Sequence, residues 1–87
     1  MPYDEDTYMN LAEHQRVVKE LSDKWVGRTF KIEDGVYVET FTIERVEVDF
    51  RKNRQDMNRA FDDYGNCWFL LELEDGLFLK EIVEYEG

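Results

Sequence analysis

The sequence predicts an α+β domain: an N-terminal helix packed on a bent, mostly antiparallel five-stranded sheet or small barrel. Three observations carry that expectation. Residues 10–26 repeat apolar side chains every three or four positions, two Asp-Gly pairs punctuate β-rich stretches, and the stretch 36–50 changes its alternation phase midway.

The 87 residues suit one domain with one hydrophobic core, placed at 10–87 behind a loose acidic lead-in at 1–9 that carries Asp4, Glu5 and Asp6. Asn10 can cap a helix with Glu13 three positions on, and Leu11, His14, Val18, Leu21 and Trp25 form one buried stripe. Gly27 supplies a left-handed stop.

Strand character follows. Residues 28–32 lead through Glu33, Asp34 and Gly35 into the long stretch 36–50, with Asp34-Gly35 as the hairpin turn. Phe41 and Ile43 alternate on odd positions, whereas Val46, Val48 and Phe50 alternate on even ones, and one flat strand cannot bury both sets. A bulge or tight turn near Glu44 and Arg45 brings them to the same side. A second hairpin is expected from Cys67 to Leu73 through Glu74, Asp75 and Gly76 to residues 77–85, its inner strand apolar on both faces and therefore central.

Between these sheets, 51–66 suggests a short helix on Met57, Phe61 and Tyr64, ended by Gly65 and Asn66. Arg51, Lys52, Arg54 and Arg59 against Asp56 leave its first nine residues, 51–59, basic by three charges inside a chain of net −10. Internal pairing with the acidic sheet is the favoured use of that island, an exposed functional loop the alternative.

The charge balance also limits function. With 21 Asp and Glu against 11 Lys and Arg, the chain repels nucleic acid and anionic membranes and attracts basic protein surfaces. Acidity alone also serves solubility. A single cysteine, Cys67, excludes an internal disulfide and points to a reducing cytoplasm; the acidic N-terminus is unlike a signal peptide, and no apolar run is long enough for a membrane span.

Catalysis is not expected. His14 is the one histidine and sits on the helix's apolar stripe, where a structural role is favoured; Cys67 opens a core strand and reads as an inert buried thiol. The five glycines are scattered, which leaves no phosphate loop. Asp62-Asp63 and Glu72/Glu74 are carboxylate pairs without two-sided acid/base geometry, and no calcium-loop spacing occurs. No catalytic, cofactor-binding or metal-ligating residues are therefore assigned, and no cofactor is expected.

The strand order from Trp25 to Tyr85 resembles small bent barrels of the Tudor or chromo type. The strand phase supplies a binding alternative to catalysis. If Val46, Val48 and Phe50 face inward, Glu47 and Asp49 face outward with Glu44 at the bulge, about 6.8 Å apart per two-residue step, a spacing similar to that of phosphates along a nucleic-acid strand. Glu33, Asp34, Glu74 and Asp75 add charge at the two hairpin tips. In size, acidity and lack of catalytic motifs the chain resembles small phage-encoded inhibitors, the DNA mimics and anti-CRISPR proteins. That resemblance implies a non-enzymatic protein of the host cytoplasm that occupies the basic, nucleic-acid-binding surface of a partner enzyme or effector complex without touching nucleic acid or membrane itself. The seven acids just named are the expected contact residues. The alternative is a Tudor-like module in which Tyr37, Phe41, Tyr64, Trp68 or Tyr85 lines an aromatic pocket for a peptide or cationic ligand.

Overall fold

A computed structural model describes residues 7–85, and residues 1–6 of the acidic lead-in lie outside the described residues. In chain order the elements are α1 (Leu11–Trp25), β1 (Thr29–Asp34), β2 (Tyr37–Glu47), a 3-10 segment (Lys52–Met57), β3 (Arg59–Asp62), β4 (Cys67–Phe69), α2 (Leu70–Phe78) and β5 (Ile82–Glu84). The strands form one antiparallel sheet in the order β4-β3-β2-β1-β5. The expected α+β class holds. The sheet stays open, with β4 and β5 as its edges, so the barrel form of that expectation is corrected.

α1 begins as its sequence dictates: the Asn10 Oδ1 accepts from the Glu13 backbone N–H at 2.9 Å, and the Asn10 Nδ2 donates to the Glu13 carboxylate at 2.9 Å. Gly27 takes φ 89° after the last turn. Burial grows along the helix, from Leu11, which is 64% exposed, through half-buried His14, Val18 and Leu21 to Trp25 at 1%. The predicted stripe is thus correct in its phase and wrong at Leu11, in the first turn.

β1 and β2 pair in the register Phe30↔Phe41 and Asp34↔Tyr37. This makes Gly35 and Val36 the central residues of the turn, one position later than the expected Asp-Gly pair. Only Gly35 has positive φ, at 62°, which is the pattern of a type II′ turn with Gly first. Further along β2 the predicted bulge is present: Ile43 pairs with Asp62 and Arg45 with Phe61, leaving Glu44 as the extra residue. Phe41 and Ile43 before it and Val46 and Val48 after it are all buried. Phe50 departs from that series. It is 46% exposed and stacks its ring on the His14 imidazole at 3.7 Å instead of entering the core.

The segment 51–66 is not the expected short helix. After the 3-10 segment, β3 buries Ala60 and Asp62 while Arg59 and Phe61 point to the other face, a period of two. Residues 7–9 of the lead-in are tied down here rather than frayed, Tyr8 bridging Arg51 and the Met9 N–H donating to the Phe50 carbonyl at 2.7 Å.

The expected second hairpin is corrected as well. β4 is a three-residue edge strand, not a central one, and the chain then turns into α2 with Leu70 and Leu73 buried and Leu77 half-buried, at helical spacing. The Glu72 carboxylate accepts from the Phe69 backbone N–H at 3.3 Å, completing the first turn. Gly76 lies inside the helix, not at a turn, and its role is close packing: a Cβ there would stand 2.5 Å from Cδ1 and 2.8 Å from Cγ1 of Ile82. The true stop is a Schellman arrangement. The Glu81 N–H donates to the Gly76 carbonyl and the Lys80 N–H to the Leu77 carbonyl, with Lys80 left-handed at φ 61°.

Both helices cover the same face of the sheet. Trp25, Phe30, Phe41, Ile43, Val46, Ala60, Leu70, Leu73 and Ile82 form one core between them, and each large side chain fully buried there contributes about 1.5–3 kcal/mol. Among the described residues the buried Trp25 Nε1–H finds no hydrogen-bond partner, whereas buried Asp62 is satisfied locally. Asp62 accepts from the Tyr64 and Asn66 backbone N–H groups and from the Trp68 Nε1–H, each at 2.9 Å, which fixes the turn between β3 and β4.

Candidate functional site

The predicted acidic row at Glu44, Glu47 and Asp49 has the outward phase that the sequence implies, but two of its members are neutralised where they stand. Glu47 accepts from the Arg45 Nη1 and the Arg59 Nη2, each at 2.8 Å. Both guanidinium groups flank the Phe61 ring, at 3.9 and 5.7 Å from its centroid. Hydrogen bonding by Arg45 holds the Glu47 carboxyl below its ordinary range, with Arg59 acting in the same sense. Asp49 is held more firmly still. Arg51 grips it through Nε at 2.9 Å and Nη2 at 2.8 Å while the Arg51 backbone N–H donates at 2.8 Å, and these bonds depress the carboxyl from 3.8 to about 2. Glu44, exposed on the bulge, keeps its charge uncompensated among the described residues.

The basic island accounts for this outcome, because Arg51 and Arg59 belong to it. Its other cations are also engaged, Lys52 with Glu13 at 3.7 Å and Arg54 with Asp56 at 3.3 Å. Internal pairing is therefore the use the fold makes of segment 51–59. The groove between Tyr8, Phe50 and Met57 carries Glu47 and Asp49 balanced by Arg51 and Arg59, so its charged lining sums to zero.

The predicted hairpin-tip acids divide in the same way. Glu33 pairs with Lys31 at 2.7 Å and Glu74 with Lys24 on α1 at 3.0 Å, so Glu74 helps to hold the two helices together. Asp34 at the first tip is exposed and makes no ion pair among the described residues. Asp75 is exposed on α2, not at a hairpin tip.

There it joins Trp68, one of the aromatics expected to line a pocket, and Glu72, expected only as half of a carboxylate pair, together with residues to which the sequence assigns no binding role. A cleft of about 510 Å³ opens between α2 and the β1–β5 edge of the sheet, with Ile32, Trp68, Gly76, Leu79 and Ile82 along it and Glu72, Asp75 and Glu81 at its border. Glu72 and Asp75 stand three residues apart on one helical face, and the Schellman turn brings Glu81 back beside them. No cation lines this cleft, and none of the three carboxylates makes an ion pair among the described residues. Glu39, the register partner of Ile32, faces the same side of the sheet and also makes no ion pair among the described residues. The signal that could have revealed the cleft is the three-and-four spacing of Leu70, Leu73 and Leu77.

The other candidates are placed plainly. His14 is half-buried, its Nε2–H donating to the Val48 carbonyl at 2.8 Å beneath Phe50, a structural use as expected. Cys67 is exposed on the edge strand, which corrects its reading as a buried thiol. Of the aromatics considered for a pocket, Phe41 is buried and Trp68 stacks on it at 4.6 Å, while Tyr37, Tyr64 and Tyr85 are exposed elsewhere. No group of three metal-ligating side chains is suitably placed to hold an ion among the described residues, and no helix among them is long and apolar enough to cross a membrane.

Comparison with protein families, with characterised proteins and with solved structures finds no match to the chain.

Proposed function

We propose that this protein is a non-enzymatic binding domain whose acidic surface occupies a basic, nucleic-acid-binding surface of a partner protein, in the manner of the small phage-encoded inhibitors it resembles. One observation carries the reading. Every described cation except Lys80 is spent on an intramolecular ion pair, whereas Asp34, Glu39, Glu44, Asp62, Asp63, Glu72, Asp75 and Glu81 have no cation partner among the described residues. Apart from Asp62, these carboxylates direct the chain's excess charge outward, where it raises the local concentration of a basic surface and steers its approach. The acids that face a partner on this reading are Asp34, Glu44, Glu72, Asp75 and Glu81, rather than the compensated Glu33, Glu47, Asp49 and Glu74.

The test is capture of partner proteins on the immobilised chain at low and high salt, with duplex DNA as competitor. Retention that falls steeply with ionic strength and is displaced by DNA supports occupation of a nucleic-acid site. Retention indifferent to both overturns it. Reversing Asp34, Glu44 and Asp75 to Lys removes retention on this reading, and a triple variant that still captures its partner at low salt also overturns it.

A further inference from the structure

We propose that the cleft beside α2 is an anchor pocket for one long cationic side chain, arginine or lysine, carried on a basic segment of the partner. The inference rests on the acidic-surface reading above and specifies which part of that surface makes the close contact.

Three features select this occupant. The floor is apolar, with Ile32 and Ile82 beside the ring of Trp68 and exposed Leu79 at the mouth, and such a floor suits the methylene stem that Arg and Lys bury while their charge stays in water. The border is Glu72, Asp75 and Glu81, three carboxylates without internal counter-ions among the described residues. An uncharged apolar ligand would leave that charge unused, and a phosphate would be repelled by it. Finally, these carboxylates do not converge: no metal-holding group forms among the described residues, so the site suits a diffuse organic cation with several donors better than a compact metal ion.

The surroundings extend the fit. Leu71, Phe78 and Leu79 are exposed on α2, at 51%, 84% and 61%, an apolar flank that suits a segment with apolar residues next to its cation. Glu81 also borders a smaller groove that contains Lys31, Glu33 and Lys80; two cations there balance two carboxylates and leave no net charge for a second anchor on that side. The complementary segment is therefore basic on the side facing Glu72 and Asp75 and apolar toward Phe78.

A titration of the isotope-labelled full chain, followed by amide chemical shifts, decides the matter. The probe is a twelve-residue peptide of alternating Arg and Leu; the controls are the same peptide with Glu for Arg and a peptide of Arg and Gly. Saturable shifts centred on Glu72, Asp75, Gly76, Glu81 and Ile82 are expected with the Arg-Leu probe at low salt. The Arg-Gly peptide binds more weakly and the Glu-Leu peptide not at all. Combining Glu72→Gln, Asp75→Asn and Glu81→Gln weakens binding about tenfold, whereas Glu20→Gln with Asp23→Asn changes it by less than about twofold. Leu79→Ser, at an exposed position, weakens it without disturbing the fold. Shifts spread evenly over Asp34, Glu39 and Glu44 as well, or a triple variant that binds undiminished, overturn the anchor. Failure here with salt-sensitive partner capture intact removes the anchor alone; localised peptide binding with no DNA-displaceable partner removes the broader reading alone.

Discussion

Two acidic regions of this molecule present comparable numbers of carboxylates, yet one face is balanced and the other is negative. At the end of β2, Glu47 and Asp49 are gripped by Arg45, Arg59 and Arg51, and the groove beside them is balanced. Beside α2, the carboxylates of Glu72, Asp75 and Glu81 border an apolar floor with no cation lining it. The first region uses its charge to hold β2, β3 and the 3-10 segment together; the second leaves its charge for solvent or for a partner. What separates them is the position of the counter-ions rather than the density of acids, because a carboxylate held by a guanidinium projects little field beyond the pair.

The strongest way to break this contrast is to remove the wall of the second region. Leu73 is fully buried under α2, and Leu73→Ala should cost about 2–5 kcal/mol in urea unfolding. A loss well below that range would mean that α2 is not seated as described. Gly76→Ala tests the close approach of helix and strand. Replacing Gly with Ala inside a helix gains about 1 kcal/mol, but forcing a methyl against Ile82 costs about 1–3, so a net loss of about 1 kcal/mol is expected.

Smaller effects sharpen the contrast. Asp49→Asn should lower stability by about 1 kcal/mol, because it leaves Arg51 without its bidentate acceptor. The folded carboxyl lies at about 2, below its ordinary 3.8, so its stabilisation is complete above 3.8 and disappears as pH falls through about 2. Acid unfolding of the wild type and of Asp49→Asn should therefore converge across that window, and curves that remain parallel below it would break the assignment. In the cleft, Glu72→Gln with Asp75→Asn should change stability by less than about 0.5 kcal/mol, because relief of like charges three residues apart is offset by a weaker bond from position 72 to the Phe69 N–H. A loss there equal to that of Asp49→Asn would erase the difference between the two regions.

How much of this was legible in the sequence depends on the range of the forces involved. α1 is local, fixed by the three-residue reach from Asn10 to Glu13, and its ends were readable. The bulge at Glu44 was readable because a change in alternation phase admits few geometric solutions. The pairing of the basic island followed from proximity in the chain, Arg51 lying two residues from Asp49. α2 was not readable in the same way. Glu74, Asp75 and Gly76 carry the chemistry of a hairpin turn, and the reason for Gly76 is a contact with Ile82 that exists only after helix and strand have packed. The same long-range cause moved Phe61 outward: its place is set by pairing to Arg45 and Cys67 on neighbouring strands, not by its helical spacing from Met57. The candidate site was half legible as a result. Asp34, Glu44 and Asp75 are legible from charge and Glu72 only as half of a carboxylate pair; it takes the helix to bring Glu72 and Glu81 to one cleft.

The passage of α2 from β4 at one edge of the sheet to β5 at the other sets an order of assembly. β1 to β4 join by short connections, and each can pair with its predecessor as soon as both have formed. β5 must find β1 across a separation of 50 residues, Ile82 opposite Ile32, which is the costliest loop closure in the sheet. Until that clasp shuts, the β1 edge stands open as a template for strands of other chains. Because Ile32 and Ile82 are also the floor of the acidic cleft, the step that protects the nascent sheet from mispairing is the one that completes the cleft.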